Sequence, residues 1–189
     1  NAAGDATSWT IHDIYETYHT SHGYDYSVLM LDLDLDSDED IFINSDYRFG
    51  VLDNVEGDGT QWKYRYLMKS DGYQDKPDNA LKGDIDGDGD DDIVLNMSNP
   101  DMLCWVENLQ GEIWPYDSIF VSNTDSMNKV GVGDIDGDGD IDIVTAGEAK
   151  WHENTSGDGK SWNSHYIASE YIGETGGQEI SVVDINCDG

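Results

Sequence analysis

Along this chain, apolar and β-branched residues come in runs of four to seven, and each run is closed by a cluster of Gly, Asp, Asn or Ser. Short strands separated by turns produce this pattern. Between residues 127 and 170 the runs predict strands over 129–134, 142–146, 149–154 and 161–168. The triplets Gly57-Asp58-Gly59 and Gly157-Asp158-Gly159 supply the positive-φ residues of a tight hairpin between the third and fourth strand of a unit. No segment carries a convincing helical period, so an all-β chain is expected.

The units repeat. The segment starting at Leu31, LDLDLDSDEDIFI, returns as GDIDGDGDDDIVL from Gly83 and as GDIDGDGDIDIVT from Gly133, and begins again as VDINCDG from Val183. Trp105-Val-Glu-Asn108 and Trp151-His-Glu-Asn154 follow their acidic loops in the same phase, with Val51-Leu-Asp-Asn54 as a degenerate copy. A further tryptophan, at 62, 114 and 162, comes six to eight residues after each of those asparagines, and Asn1 followed by Trp9 opens the chain inside the same landmark. Four-stranded units of about 50 residues cannot bury both faces alone and stack radially, so the expected architecture is a run of β-propeller blades. The single domain 1–189 divides into the end of one blade (1–20), whole blades at 24–70, 77–122 and 127–170, and the start of another (178–189). That phase suits part of a six- to eight-bladed propeller, completed by further blades or by other copies of the chain. The tryptophans and the Ile-Val pairs after each loop are expected to fill the layers between blades.

Charge adds the chemistry. Against 41 acids stand nine bases, a formal net charge of −32, which repels nucleic acid and anionic membrane surfaces. Nineteen of the acids lie in four clusters, at 32–40, 84–92, 134–142 and 184–188. A salt-adapted source would account for a generally acidic surface but not for that clustering. In the second cluster Asp84, Asp86, Asp88, Asp90 and Asp92 hold positions 1, 3, 5, 7 and 9 of a nine-residue loop, alternating with Gly87 and Gly89. Five carboxylates so close repel one another unless a hard cation sits among them, and glycine permits the left-handed backbone that wraps the loop around a point. Side chains 1, 3 and 5 are expected to converge, position 9 to close the cage, and position 7 to offer its carbonyl. Oxygen-only donors in a flexible loop suit Ca2+. Position 12 is Leu95 or Thr145 and a strand follows, so the loop is not an EF-hand.

The copies differ. Asp134, Asp136, Asp138, Asp140 and Asp142 repeat the loop with both glycines, whereas Asp32, Asp34, Asp36, Asp38 and Asp40 enclose Leu35 and Ser37 where the glycines would be, so weaker binding is expected there. The fourth copy has Asp184, Asn186 and Asp188. About three complete Ca2+ sites and a fourth truncated one follow, with a structural role in the scaffold.

These residues resemble the FG-GAP or VCBS-type repeat family, whose best-known member is the seven-bladed propeller of integrin α chains. The run GDIDGDGDxDIV followed by WxENTxGDGxxW is similar to repeats of secreted proteins from environmental bacteria. The resemblance implies a calcium-binding propeller and, loosely, adhesion, carbohydrate binding or, more rarely, polysaccharide lyase activity. An extracellular binding module for a glycan or protein ligand is the leading expectation, since millimolar calcium outside the cell fills even weak sites. Tyr15, Tyr18, Tyr24, Tyr47 and Tyr73 are candidates for stacking on sugar rings. A lyase or hydrolase would need a base such as His12, His19, His22, His152 or His165, but no pair forms a recognisable constellation, and His12 and His165 both lie three residues after the recurring tryptophan. The third reading is a structural subunit of a surface layer or filament.

Elsewhere the sequence says less. Cys104 and Cys187, 83 residues apart in different repeats, do not make a disulfide scaffold. No apolar stretch approaches the roughly 20 residues of a membrane helix, and residues 1–20 lack an export signal's basic and apolar regions. The sequons at Asn96 and Asn154 are no more than chance supplies in such a composition.

Overall fold

The computed structural model describes residues 25–45, 48–66, 77–98, 101–109, 112–113, 119–122, 129–146, 149–167, 180–183 and 185. Among them there are fourteen strands and no helix. β1 (Asp25–Leu31), β2 (Asp40–Ser45), β3 (Arg48–Asn54) and β4 (Trp62–Tyr66) form a four-stranded antiparallel meander, blade 1. Blade 2 joins β5 (Pro77–Gly83), β6 (Asp92–Ser98), β7 (Asp101–Val106) and β10 (Ile119–Ser122). Its last connection carries a small hairpin of its own, β8 (Asn108–Leu109) with β9 (Glu112–Ile113). Blade 3 comprises β11 (Val130–Gly133), β12 (Asp142–Thr145), β13 (Lys150–Asn154) and β14 (Trp162–Tyr166). The four strands expected in the third repeat are present, each one to three residues shorter than its apolar run. The predicted residues 1–20 and most of 178–189 lie outside the described residues.

Both buried apolar cores lie between blades. Leu31, Leu33, Phe42 and Val51 of blade 1 pack on Ala80, Ile93, Leu95, Met97, Cys104 and Val106 of blade 2. The opposite face of blade 2 presents Ile85, Val94, Leu103, Trp105 and Val121 to Val130 and Ile143 of blade 3, with Trp162 at the margin. Period 2 explains the arrangement: successive strand residues point to opposite faces, so Ile93 serves one layer and Val94 the other. A sheet with two apolar faces needs a sheet on each side, and the expected inter-blade layer is realised for Trp105, Trp162, Ile93, Val94 and Ile143, while Trp9 and Trp114 lie outside the described residues. The propeller is not closed over these residues.

Asn96 and Asn154, the asparagines of the two sequons, are buried. Asn154 spends its amide on the Ile85 carbonyl at 2.8 Å, so neither side chain is placed to accept a glycan.

Candidate metal centres

Each acidic loop joins the first strand of its blade to the second, and one residue fixes it. Position 9, occupied by Asp40, Asp92 and Asp142, is the first residue of β2, β6 and β12 and is buried in all three blades. One of its oxygens accepts the backbone N–H of position 2: Leu33 at 3.2 Å, Ile85 at 2.9 Å and Ile135 at 3.0 Å. The other accepts the N–H of the repeat asparagine at the end of the third-strand run: Asn54 at 2.8 Å, Asn108 at 2.8 Å and Asn154 at 2.9 Å. Three separate chain segments are thereby tied to one carboxylate, which explains why the asparagine keeps phase with the loop.

The start of the loop is shaped by carboxylates that accept from the chain ahead of them. Position 1 accepts the N–H of position 6, at 3.1 Å for Asp84 with Gly89 and 3.0 Å for Asp134 with Gly139. Asp86 and Asp136 accept from Asp88 and Asp138, which accept in turn from Asp90 and Asp140. Such Asx turns need positive φ at the intervening residues, and Gly87, Gly89, Gly137 and Gly139 have φ of 75°, 102°, 80° and 98°. In loop 1 Leu35 and Ser37 adopt the same left-handed conformation, with φ of 60° and 77°. A side chain there costs about 1–2 kcal/mol, of which glycine's greater unfolded-state freedom returns roughly 0.5–1. Leu35 is exposed, so replacing it removes little packing. Leu35→Gly with Ser37→Gly is expected to stabilise the chain by about 1 kcal/mol and to tighten metal binding at loop 1, read by urea unfolding and titration calorimetry. A loss of stability would mean that loop 1 does not hold this conformation in solution.

The convergence differs in one respect from expectation. Carboxylate oxygens within 4.8 Å of one another come from positions 1, 3 and 9 in the second and third loops, Asp84, Asp86, Asp92 and Asp134, Asp136, Asp142, and from positions 1, 3 and 5 in the first, Asp32, Asp34, Asp36. Asp88 and Asp138 are exposed, accept the N–H two residues on and stay outside the triad. Position 7 turns towards the hairpin of its own blade: a Cβ on Gly57 would lie 2.8 Å from Asp38 Oδ2, and one on Gly157 2.7 Å from Asp140 Oδ2. Asp184, Asn186 and Asp188 lie outside the described residues.

The electrostatics favour a cation. Burial pushes Asp92 up to about 7, against the two backbone N–H bonds that hold it down, with the Asp86 and Asp90 charges adding to the rise. Asp90 is pushed up to about 6 by burial and by Asp88, Asp86, Asp84 and Asp91. Asp34, Asp40, Asp86, Asp136 and Asp142 are raised in the same direction, burial being the largest cause in each. Asp84 Oδ1 and Asp90 Oδ1 are buried with no hydrogen-bond partner among the described residues. Oxygen-only donors with orphaned lone pairs fit a hard divalent cation, and Asp84, Asp86 and Asp92, with Asp134, Asp136 and Asp142, are the residues that would hold one.

Sequence reasoning missed the acid that precedes each repeat asparagine. Burial raises the Glu107 pKa, the Asp86 and Asp88 charges add to it while Lys160 opposes, and the two carboxyls of Glu107 and Asp86 share a hydrogen bond. Glu153 raises Asp136, and Asp53 raises Asp34 and Asp40. The signal was legible as the third letter of Trp-x-Glu-Asn, whose constant phase with the loop places it beside position 3.

Residues 84–145, from the first aspartate of loop 2 to the end of β12, match the model of the FG-GAP-like repeat. Those residues are thus similar to an FG-GAP-like repeat, and they lie within a run of β-propeller blades. Among solved structures, the chain is similar in fold to an Agrocybe aegerita lectin described for specific recognition of non-reducing terminal N-acetylglucosamine. The match has a TM-score of 0.52 and 17% sequence identity over 76% of this chain, which spans 39% of the lectin chain. No curated protein matches the sequence.

The described histidines lie within blade 3. His152, fully buried on β13, has its ring nitrogens 3.3 Å from Thr145 Oγ1 and 2.9 Å from Ser164 Oγ. His165 stacks on Trp151, ring centroids 4.7 Å apart, and its Nε2 lies 2.6 Å from Glu153 Oε2. His12, His19, His22 and the five candidate tyrosines lie outside the described residues.

Proposed function

We propose that this chain is part of a calcium-stiffened β-propeller that works outside the cell as a glycan-binding module. The observation that carries the reading is the recurrence, at one place in successive blades, of three carboxylates within 4.8 Å of one another, anchored through a buried aspartate to the repeat asparagine. Ca2+ in such a loop neutralises like charges and joins the first strand, the second strand and the end of the third, so its role is to stiffen the blade. Millimolar calcium outside the cell keeps even weak sites filled. The glycan half of the reading draws on the fold shared with a lectin that recognises terminal N-acetylglucosamine. An overall charge of −32 disfavours nucleic acid as the ligand, and a protein ligand is the alternative that the array experiment distinguishes.

Thermal unfolding in Ca2+, Mg2+ or EDTA, run beside calorimetric titration of the metal-free chain, tests the first half. Each site held at 100 times its dissociation constant adds about 2.7 kcal/mol, so Ca2+ is expected to raise the midpoint by several degrees while Mg2+ does much less. An unchanged midpoint on chelation would remove calcium and, with it, the argument for an extracellular setting. Binding of the Ca2+-loaded chain to an array that includes N-acetylglucosamine-terminated glycans tests the second half, and a blank array would turn the reading towards a protein ligand.

A further inference from the structure

The boundary between blades 2 and 3 is fastened by a contact that recurs in sequence only in halves elsewhere. Trp105, fully buried on β7, donates its indole N–H to the Gly159 carbonyl at 2.9 Å. Gly159 has φ of 65°, and a Cβ there would lie 2.4 Å from Trp105 Cζ2 and 2.9 Å from Ile85 Cγ2. From the same hairpin, Asn154 donates its amide to the Ile85 carbonyl. The hairpin of blade 3 thus clasps the tryptophan and the loop of the blade before it. At the boundary between blades 1 and 2 both partners are missing together. Val51 stands where Trp105 stands, the β8–β9 hairpin has no Gly-Asp-Gly, and the bridge is instead the Asn44 amide on the Pro77 carbonyl at 2.7 Å.

Blades 1 and 3 each carry one half of the pair. In blade 1 the hairpin at Gly57 and Gly59 has φ of 69° and 73°, and Gly59 donates to Asn54 Oδ1 as Gly159 does to Asn154 Oδ1. Among the described residues, however, a Cβ on Gly59 would meet only its own blade's Trp62, at 4.0 Å. In blade 3 Trp151 stands at the Trp105 position, half-buried, with its indole N–H facing Asp142 of its own loop. Its cross-strand neighbours Val144 and Gly131 share its face, and Ile180 and Val182 already rest on that face against Gly131 and Gly133.

We propose that a tryptophan at the Trp105 position and a hairpin glycine at the Gly159 position of the next blade are a matched plug and socket that selects which blades can be neighbours. The Trp151 face takes a further blade of the same repeat, continuing the segment seated on Gly131 and Gly133, whose hairpin carries glycine at that position. Val51 and the β8–β9 hairpin mark a boundary of the other kind.

Matched substitutions in the whole chain, melted in the presence of Ca2+, test the pairing. Gly59→Ala and Gly159→Ala both place a side chain at positive φ, but only the second drives it into Trp105. Gly159→Ala is therefore expected to lower Tm by about 5 °C more than Gly59→Ala. With Trp105→Val added, the residue blade 1 uses, most of the extra cost of Gly159→Ala is expected to disappear, leaving the 2.9 Å approach to Ile85 Cγ2. Should Gly159→Ala alone fail to fold, recovery by Trp105→Val is the readout. Equal costs at Gly59 and Gly159, or no relief from Trp105→Val, would overturn the proposal. For Trp151, residues 140–167 appended after Gly189 continue the repeat in register and supply a hairpin with glycine in place. Trp151→Val is expected to lower Tm in the 189-residue chain, through its contacts with His165 and Asp142, and to lower it further in the extended chain. An equal effect in both chains would sink the Trp151 assignment.

Discussion

Asp142→Ala is expected to cost the chain about 2–6 kcal/mol of stability even with every metal ion chelated, because it leaves the backbone N–H groups of Ile135 and Asn154 without their acceptor. Each buried donor stripped of its partner costs about 1–3 kcal/mol, and a whole domain's margin is about 5–15, so this one carboxylate governs much of blade 3. Asp138→Ala is the control. Its side chain is exposed and touches only the N–H of Asp140, so in EDTA the loss is expected to stay within about 0.5 kcal/mol. Asp142→Asn should fall between, since its amide oxygen can serve one N–H while its NH2 faces the other. Urea unfolding of the three variants in EDTA distinguishes them. If Asp142→Ala were as mild as Asp138→Ala, position 9 would be an ion ligand only and the account of the loop's anchorage would fall.

The second large effect is a dependence on pH that calcium reverses. In the folded, ion-free chain Asp90 is raised to about 6 and Asp92 to about 7, from an ordinary carboxylate value of 3.8. Between about pH 4 and pH 7 the folded chain therefore holds more protons than the unfolded one. Stability then falls as pH rises through that window and is lowest above it. Asp34, Asp40, Asp86, Asp136 and Asp142, raised in the same direction, act with the same sign. Ca2+ needs the carboxylates ionised, so its stabilisation is expected to be greatest above pH 7 and to shrink towards pH 5. Melting curves from pH 5 to pH 8, in EDTA and in Ca2+, should converge at the acid end and separate at the alkaline end. An ion-free chain most stable at pH 8 would contradict the buried, mutually repelling arrangement of Asp84, Asp86, Asp90 and Asp92.

Much of the architecture could be read in advance because its determinants are local. Alternating apolar runs and Gly-Asp-Gly turns specify strands and hairpins through φ preferences and period 2, and the fixed spacing of the loops specifies identical blades. Those rules placed β11 to β14 to within a residue or two and assigned Trp105, Trp162, Ile93 and Val94 to layers between sheets. Local chemistry also marked Leu35 and Ser37 as misfits in a glycine pattern, and both hold the positive φ that glycine would take freely.

Spacing could not say which carboxylates would meet. Five aspartates at alternate positions are equivalent in one dimension. Asp92 and Asp142 differ from Asp88 and Asp138 only because β6 and β12 begin there and bury them against the repeat asparagine, while position 5 stays in solvent. Glu107 and Glu153 likewise enter the picture because the end of the third-strand run folds back beside the loop. The sequence by itself determined the repeated unit, its strands, its turns and its acidic loop, since each depends on neighbours within a few residues. Only the tertiary structure decided that Trp105 closes on Gly159 and Asn154 on Ile85, because those contacts join residues 54 and 69 positions apart whose approach depends on the packing of one complete blade upon the next.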